Sequence, residues 1–421
     1  MKILVANLGS TSFKYRLFDL PRTTGEAGDG GLCGRELARG GVERIGAAHS
    51  RVYAALGGRA VEEQLAVPDH GVALEKALGQ LVGGDGPLAS LEELSAVGFK
   101  TVHGGRLGRD LPGGVGLVTP ELLEAMEEVA AVAPAHNPPY VKAMRSLGSR
   151  FPTVPLVAVF ETGFHATIPD RNAVYAVPDD WVETHFVRRW GFHGASHRYL
   201  AGRLRELAPR RGPGAHRALS CHLGGSSSVC WLRDGRSVGS SMGMSPQSGL
   251  PQSSRAGDLD PFVLLHVARR TGRSIEELLE ELSSRAGLAG MSGTSGDMRD
   301  LEQAADAGSD AARRAIDVYV AAIRHWLGGG LVELGGLDAI GFAGGIGENA
   351  PRIRHAVCEG LSELGIELDK TLNSAADTGE RAIHSPGSRV AVWVIPTNEE
   401  LVVARAARDL LDHNSPDSKI D

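Results

Sequence analysis

The sequence predicts an α/β protein, on the strength of its length, its composition and an alternation of strand and helix patterns. The chain has 421 residues, enough for two domains at roughly 100–200 residues each. Its 42% hydrophobic and 23% charged residues are typical of a globular chain with a buried core. Apolar runs at residues 155–160, 339–343 and 390–395 alternate with amphipathic helical patterns. This alternation favours strands covered by helices.

Charge and cysteine content exclude several classes of protein. The formal net charge is −7, whereas a nucleic-acid partner requires a basic face. We therefore expect no nucleic-acid partner, and the absence of a long apolar run predicts no membrane partner. The opening residues do not form a signal peptide, and the four cysteines show no CxxC spacing. The sequence thus predicts a cytoplasmic protein.

Two segments of the chain, one at its start and one near its middle, are predicted to form matching β-hairpins. Residues 3–9 and 13–19 are two strand patterns joined by a Gly-Ser-Thr-Ser turn. A second pair, residues 219–223 and 229–232, is joined by Gly-Gly-Ser-Ser-Ser and followed by an Asp-Gly turn. The two hairpins lie about half a chain apart, which is a hint of internal duplication.

The helices are marked by their ends. Thr119 and the following proline begin one helix, and Ser274 opens another as part of a capping box. An amphipathic pattern over residues 311–327 is predicted to stop at the three glycines 328–330. A terminal helix begins at Thr397 and runs to about His413. Glu400 would complete a capping box with Thr397, which gives this glutamate a structural role.

Several catalytic motifs can be set aside. The chain contains no Gly-Lys-Ser/Thr, no GxGxxG after a strand and no HExxH. Residues 239–243 fit GxSxG, but a loop rather than a helix is predicted to follow, which argues against a serine hydrolase.

Three glycine-rich turns remain, each directly after a predicted strand. They occupy residues 7–12, 222–227 and 344–349. Backbone N–H groups and small hydroxyls in such turns can hold phosphate oxygens, although any single one could be an ordinary tight turn. Three in one chain, two of them in matched hairpins, favour a two-lobed phosphate clamp.

Ten short motifs in one order resemble a known family. They lie at residues 7–14, 102–105, 136–139, 160–165, 191–197, 222–229, 253–261, 297–299, 344–349 and 397–401. Together they resemble acetate kinase and other short-chain carboxylate kinases, within the acetate and sugar kinase, heat-shock and actin superfamily. The segments at 191–194 and 397–400 argue against a sugar kinase.

The resemblance implies a fold and an activity. The fold would be two ribonuclease-H-like (actin-like ATPase) domains with an active-site cleft between them. Residues 1–161 plus 396–421 would form the N-terminal domain, and residues 162–395 the nucleotide-binding domain. The reaction would be reversible phosphorylation of acetate or a similar acid by ATP, with ADP as product and Mg²⁺ or Mn²⁺ as cofactor. The family's homodimers imply a homodimer here.

Site residues follow from the same resemblance, position by position. The residues matching catalytic positions are Glu161, His193 and Arg255. Those matching the substrate-binding positions are Lys100, Val102, Ala135, Phe192 and Pro246. Nucleotide or phosphate contacts are implied for Ser10, Ser12, Lys14, His222, Leu223, Gly224, Gly225, Ser226, Asp297, Met298, Arg299, Gly345, Ile346, Gly347, Glu348 and Asn349. The metal-side positions are Asn7 and Glu399.

Several positions depart from the family pattern, including Ser253, which replaces a glycine two residues before Arg255. Lys100 replaces an arginine and Glu161 an aspartate, and we hypothesise that the longer acid compensates for the compact ammonium. Gly225 replaces an asparagine of the second phosphate turn. Ala135 replaces a leucine of the acyl pocket, which predicts tolerance for propionate beside acetate. These changes leave an alternative function open, a nucleotide-binding relative with weak or lost kinase activity that acts as a sensor or assembly partner.

Overall fold

The chain divides into two compact units in a computed structural model. The structure describes residues 1–9, 11–22, 34–82, 84, 86–130, 132, 136–208 and 214–413. The first unit comprises Met1–Ala166 and Asn398–Asp421, and the second comprises Thr167–Thr397. No helix in the described ranges is long and apolar enough to cross a membrane.

An eight-stranded mixed sheet forms the centre of the first unit. Its strands are β1 (Lys2–Leu8), β2 (Ser12–Asp19), β3 (Arg35–Glu43), β4 (Ser50–Leu56), β5 (Arg59–Leu65), β6 (Leu94–Thr101), β7 (Val115–Leu117) and β8 (Leu156–Phe160). They lie in the order β5-β4-β3-β2-β1-β6-β8-β7. Strands β1 and β2 pair antiparallel, which confirms the first predicted hairpin, and β1, β6 and β8 are parallel.

Helices cover both faces of this sheet. They are α1 (His70–Val82), α2 (Gly105–Asp110), α3 (Pro120–Glu128), α4 (Asn137–Arg150) and the C-terminal helix Glu399–His413. Apolar residues of α1, α3 and α4 share one core with the sheet, and the C-terminal helix forms a separate core on the opposite face. The predicted start of α3 is confirmed, because the Thr119 hydroxyl accepts a hydrogen bond from Leu122 N–H.

The second unit contains a six-stranded sheet of similar connectivity. Its strands are β9 (Arg217–Leu223), β10 (Ser227–Arg233), β11 (Arg236–Ser240), β12 (Ala339–Ala343), β13 (Arg381–Ala382) and β14 (Ala391–Val394). Their order is β11-β10-β9-β12-β14-β13. The predicted hairpin β9–β10 is confirmed, and β9, β12 and β14 are parallel. The run β3-β2-β1-β6-β8 therefore has its counterpart in β11-β10-β9-β12-β14, as the matched hairpins suggested.

The helices of the second unit surround its sheet. They are α5 (Asp170–Ala173), α6 (Asp179–Glu183), α7 (Gly194–Leu207), α8 (Phe262–Thr271), α9 (Ile275–Ser284), α10 (Gly287–Ser292), α11 (Met298–Asp306), α12 (Asp310–Leu334), α13 (Gly344–Asn349), α14 (Pro351–Cys358) and α15 (Lys370–Ser374). The predicted capping box of α9 is present, since Ser274 and Glu277 each bond the other's backbone N–H.

The predicted stop of α12 at the three glycines is wrong. The helix continues through Gly330 to Leu334. A Cβ added at Gly330 would lie 2.5 Å from Cδ1 of Trp231 and 2.6 Å from Cδ2 of Leu219. The glycine therefore lets the helix pack closely against the sheet, and this packing outweighs its low helix propensity.

The candidate site residues lie where parallel strands end. In the first unit, Ala6 is paired with Phe99 and Thr101 with Phe160, so the residues that follow emerge at one sheet edge. In the second unit, Ala343 is paired with His222, which brings two of the predicted phosphate turns to one edge. Ligand sites of open α/β sheets form at such carboxyl ends.

Candidate active site

Asn7 is held in place at the end of β1 by a buried tyrosine. The Tyr140 hydroxyl accepts a 2.9 Å hydrogen bond from Leu8 N–H and donates to Asn7 Oδ1 at 3.5 Å. The Asn7 amide group donates to Glu400 Oε1 at 3.4 Å. Burial raises the pKa of the Tyr140 hydroxyl, which therefore stays protonated and able to donate.

Lys100 lies between two carboxylates at the end of β6. Its ammonium forms a direct ion pair with Glu399 and lies 3.5 Å from Oε1 of Glu161. Burial alone would lower the pKa of Lys100, but the two carboxylates outweigh it and raise that pKa well above the usual value. The lysine is thus always charged, and the contact required by the proposed Lys100–Glu161 compensation is present.

Glu400 does not complete a capping box with Thr397, contrary to the prediction. Asn398 caps the C-terminal helix instead, because its Oδ1 accepts a hydrogen bond from Leu401 N–H at 3.2 Å. The Thr397 hydroxyl is buried and has no hydrogen-bond partner among the described residues. Glu400 is turned toward Asn7 and Arg16, whose Nε is 3.8 Å from its carboxylate. Glu400 is therefore part of the charged cluster.

The oxygen donors of this cluster suit a hard divalent cation only as part of a larger ligand set. Asn7 offers an amide oxygen, and Glu399 and Glu400 offer carboxylates, the donor types that Mg²⁺ prefers. Among the described residues, however, no three acidic, histidine or cysteine side chains are arranged to hold a metal ion. This donor set fits a Mg²⁺ that takes one or two protein oxygens and completes its shell with phosphate and water.

The first phosphate turn is only partly described. Gly9 N–H donates to Ser12 O at 2.8 Å, which closes the turn between β1 and β2. Lys14 is exposed and lies opposite Asn7 in the strand register. Ser10, predicted to contact phosphate, lies outside the described residues.

A hydroxyl network shapes the second phosphate turn, between β9 and β10. Gly224 N–H donates to Ser227 Oγ at 3.1 Å, and Ser227 donates back to Gly224 O at 2.9 Å. Tyr319 OH lies 2.8 Å from the same Ser227 oxygen. Leu223 and Gly224 are buried, whereas Gly225 is exposed at the tip of the turn. The turn is therefore rigid without the asparagine that Gly225 replaces.

Arg255 lies beside this turn and contacts only neutral oxygens. Its Nη1 donates to Gln252 Oε1 at 3.1 Å, to Ser226 Oγ at 3.4 Å and to Pro246 O at 3.5 Å. Among the described residues it forms no ion pair. Burial lowers its pKa, although an arginine remains charged. No carboxylate in the described ranges compensates the guanidinium charge, which leaves it available to an anion.

The loop at Asp297 packs against the Arg255 loop. Gly296 has a φ of +79°, and a Cβ there would lie 2.5 Å or less from the carbonyl oxygen of Ser253, so only glycine fits. Asp297 caps α11 and pairs with exposed Arg299, whose hydrogen bonds lower the pKa of the Asp297 carboxyl to about 2. Met298 is buried behind them.

The third phosphate segment is a short helix, not the turn predicted. α13 begins directly after β12, and the Glu348 carboxylate accepts a hydrogen bond from Gly344 N–H at 2.9 Å. Burial raises the pKa of Glu348. The Asn349 amide donates to Gly345 O at 2.9 Å, and Glu348 also accepts a hydrogen bond from the backbone N–H of Thr397. Ile346 and Gly347 are buried, and Gly345 is exposed.

His193 belongs to a group of three histidines, with His197 and His222, beside β9 and β10. Its Nδ1 lies 2.8 Å from Ser228 Oγ, and its ring lies 4.3 Å from that of His222. His222 Nδ1 in turn lies 2.7 Å from Ser196 Oγ. His193 has a φ of +55°, a left-handed conformation that is rare outside glycine and common at functional positions.

The predicted acyl-pocket residues are divided between the units. Val102 lies in the first unit, while Phe192 and Pro246 are buried in the second. Pro246 is fixed through its carbonyl oxygen, which accepts a 2.8 Å hydrogen bond from Gln252 Nε2. Ala135 lies outside the described residues.

Sequence reasoning missed several contacts of these groups. Tyr140, Gln252 and Arg16 were assigned no role, although each contacts a predicted site residue. Ser228 and His197 lie inside two of the recognised motifs but were not singled out. A polar residue within a motif is the signal that could have found the last two.

Comparison with known proteins identifies close relatives. The sequence model described as the Acetokinase family matches residues 2–405. An acetate kinase of Leifsonia xyli is 42% identical over 405 residues, covering 96% of this chain and 98% of the relative. A propionate kinase of Citrobacter rodentium is 39% identical over 406 residues, covering 96% of this chain and 95% of the relative.

A solved structure supports the fold prediction. The crystal structure of Porphyromonas gingivalis acetate kinase superposes with a TM-score of 0.85 at 34% identity, covering 97% of this chain and 99% of that one. The predicted α/β, actin-like ATPase fold is thereby confirmed.

Proposed function

The chain belongs to the Acetokinase family, and we propose on that basis that it transfers the terminal phosphoryl group of ATP to acetate or another short-chain carboxylate. The products are ADP and an acyl phosphate, and the reaction is reversible. The observation that carries the proposal is Arg255, an arginine held beside a phosphate turn with no carboxylate partner among the described residues. Phosphoryl transfer depends mainly on such positioned positive charge.

The proposal assigns a role to each candidate residue. Arg255 stabilises charge on the transferring phosphoryl group, and His193 donates a hydrogen bond to its equatorial oxygens. The turn residues His222, Leu223, Gly224, Gly225 and Ser226 hold phosphate oxygens, together with Ser12, Lys14 and Ser10. The remaining nucleotide contacts come from Asp297, Met298, Arg299, Gly345, Ile346, Gly347, Glu348 and Asn349.

Lys100 is proposed to bind the substrate carboxylate through an ammonium N–H that its ion pairs do not use. An ammonium has three N–H donors; the direct ion pair with Glu399 uses one of them, and Glu161 Oε1 contributes a charge contact at 3.5 Å. Glu161 keeps the lysine fixed in position, while Val102, Ala135, Phe192 and Pro246 line the acyl pocket. A shortened side chain at Ala135 leaves room for propionate.

Asn7 and Glu399 are proposed as the protein oxygens nearest to a Mg²⁺, or Mn²⁺, that accompanies the nucleotide. When bound, the ion neutralises phosphate charge during transfer. Tyr140 orients Asn7, and Lys100 orients Glu399, so both donors are fixed in advance.

The proposal is tested by trapping the acyl phosphate as its hydroxamate. Wild-type protein is incubated with ATP, Mg²⁺ and acetate, propionate or butyrate, beside Arg255→Ala. We expect product with wild type and none with the variant. Arg313→Ala, which removes an exposed arginine paired with Asp310, is the matched control and should keep full activity. Measurable ATP binding without product from any acid would instead support a nucleotide-binding sensor.

We also propose a homodimer formed through α8 and α9. Helix α8 has no buried residue, and its apolar Phe262, Val263 and Leu265 are 73%, 44% and 40% exposed. Leu279 on the adjacent α9 is 50% exposed. Exposed apolar side chains on two neighbouring helices suit a self-complementary contact with a second copy of the chain.

The dimer is tested by light scattering on Phe262→Glu/Leu279→Glu. We expect a monomer from this variant and a dimer from Val332→Glu, which places the same charge at a 77% exposed apolar residue on α12. A monomeric wild type would contradict the proposal.

A cytoplasmic location is proposed from the cysteines. Cys221, Cys230 and Cys358 are buried free thiols. Unpaired thiols of this kind are usual in a reducing compartment. Cys33 lies outside the described residues.

A further inference from the structure

A chain of hydrogen bonds runs from a fully buried serine to His193. Ser220 Oγ lies 2.8 Å from His197 Nδ1, and His197 Nε2 lies 2.8 Å from Ser228 Oγ. Ser228 Oγ also lies 2.8 Å from His193 Nδ1. His197, Ser220 and Ser228 have no exposed surface. His193 and His197 precede and occupy the first turn of α7, and this spacing brings both rings to one serine.

Proton counting allows two arrangements of this chain. The Ser228 hydroxyl has a single proton and can donate to only one of the two histidines. If both histidines donated to it, that buried proton would have no acceptor among the described residues, so one histidine donates and the other accepts. Either His197 Nε2–H donates to Ser228 and Ser228 donates to His193, or every bond runs in the opposite direction. The two arrangements place the proton of neutral His193 on different ring nitrogens.

Ser220 decides between them. In the first arrangement its hydroxyl donates to His197 Nδ1, so its only proton is used. In the second it accepts from His197, and its own buried proton has no acceptor, because His197 is the only side-chain or hydroxyl partner of Ser220 among the described residues. A buried donor left without an acceptor is costly, and the first arrangement avoids it.

We infer that Ser220, His197 and Ser228 are positioning residues that hold His193 with its proton on Nε2. The inference rests on the proposed function, in which His193 donates a hydrogen bond to the phosphoryl group. Nε2–H can donate to a phosphate oxygen, whereas the other tautomer presents a lone pair to that oxygen and repels it. The buried chain thus keeps the reactive nitrogen a donor before any ligand binds.

The direct test is nitrogen NMR of ¹⁵N-histidine-labelled protein without ligand, at about pH 8, where a histidine of ordinary pKa is neutral. The His193 signals are assigned by their loss in His193→Gln. We expect the wild type to show a protonated Nε2 and an unprotonated Nδ1. Ser228→Ala should give a mixture of tautomers. A protonated Nδ1 in the wild type, or an unchanged tautomer in Ser228→Ala, would overturn the inference.

Steady-state kinetics provide a second test. Ser228→Ala and His197→Leu should lower kcat about 10-fold while leaving KM for ATP and for the acid within about twofold. His197→Gln should restore most of kcat, because its amide N–H can donate to Ser228 in the same direction. A variant that merely loosens the fold would not be rescued in this way.

Ser240→Ala is the matched control. Ser240 is also fully buried beside the sheet, but its hydroxyl has no hydrogen-bond partner among the described residues. Its kinetics and its His193 signals should match the wild type. Full activity in His193→Gln would refute the catalytic role of His193 and leave the tautomer result standing, so the two failures are distinguishable.

Discussion

The candidate-site cations of the two units, Lys100 and Arg255, differ in their electrostatic surroundings. In the first unit, Lys100 is neutralised by Glu161 and Glu399. In the second unit, Arg255 is surrounded by neutral oxygens from Gln252, Ser226 and Pro246. Desolvating a charge is costly unless it is paired, and Arg255 has no carboxylate among the described residues, which leaves its charge available for an anionic ligand. The paired lysine instead helps to fix the acidic groups around it.

The largest effect is expected when Arg255 is given a carboxylate partner like those of Lys100. Gln252→Glu replaces the amide oxygen 3.1 Å from Arg255 Nη1 with a carboxylate oxygen, so that Arg255 would be paired as Lys100 is. We expect kcat to fall about 10³-fold, because the charge available to the phosphoryl group is neutralised. Activity within about threefold of wild type would contradict the role given to Arg255. Circular dichroism and ADP binding check that the variant is folded.

The two units also differ in how their buried histidines are hydrogen-bonded. His197 is bonded through both ring nitrogens, whereas His103 in the first unit accepts a hydrogen bond from Gly105 N–H at 3.0 Å, which requires a neutral Nδ1. Burial lowers the pKa of His103 to about 4. In the unfolded chain this group binds a proton near pH ~6.5. The free energy of unfolding is therefore highest above this pH and falls as the pH drops toward 4, by up to about 3 kcal/mol.

His103→Asn tests this prediction, because its Oδ1 can still accept from Gly105 N–H but does not titrate. Urea unfolding between pH 7 and pH 4, relative to wild type, should show a shallower loss of stability in the variant. His49→Gln replaces an exposed histidine of the same unit and should follow the wild-type curve. Parallel curves for all three proteins would argue against a neutral buried His103.

A double-mutant cycle measures the coupling between Lys100 and Glu161. Lys100→Arg and Glu161→Asp each restore one residue of the family pattern and lose the matched length of the pair. We expect each single variant to lose about 10-fold in kcat/KM for acetate and the double variant to recover most of it. This corresponds to a coupling of about 2–3 kcal/mol, because each tenfold loss is about 1.4 kcal/mol. Single variants as active as the double variant would show that the two changes do not compensate.

The smallest expected effect concerns the acid. In the proposed acyl pocket, Ala135→Leu restores the leucine of the family pattern, so it should reduce kcat/KM for propionate relative to acetate. One methylene is worth about 1 kcal/mol or slightly more, so the ratio should change about 10-fold. Ala135→Val should give an intermediate ratio. An equal loss for both acids would mean that this position does not select chain length.

Much of the fold was predictable because local rules agreed with the tertiary structure. Both hairpins, the start of α3 and the capping box of α9 depend on neighbouring residues and were found from the sequence. The family was found in the same way, since ten motifs in order are specific even where each one is weak.

The failures occurred where distant packing decided the outcome. α12 runs through residues 328–330, and Trp231, about a hundred positions earlier in the chain, packs against Gly329 and Gly330, where a Cβ would lie 3.2 Å and 2.5 Å from its ring atoms. Glu400 lies beside Asn7, and Asn398 takes over the cap, because β1 and the C-terminal helix meet in one cluster. A local pattern cannot report either contact.

The sequence by itself determined the family and the fold class and predicted which residues carry the chemistry, because motif order and residue type are written along the chain. Only the tertiary structure decided the electrostatic state of those residues: that Lys100 is paired, that Arg255 has no ion pair among the described residues, and that Ser220 directs a proton chain toward His193. Charge and proton direction depend on burial and on partners far apart in sequence. Those quantities exist only once the chain has folded.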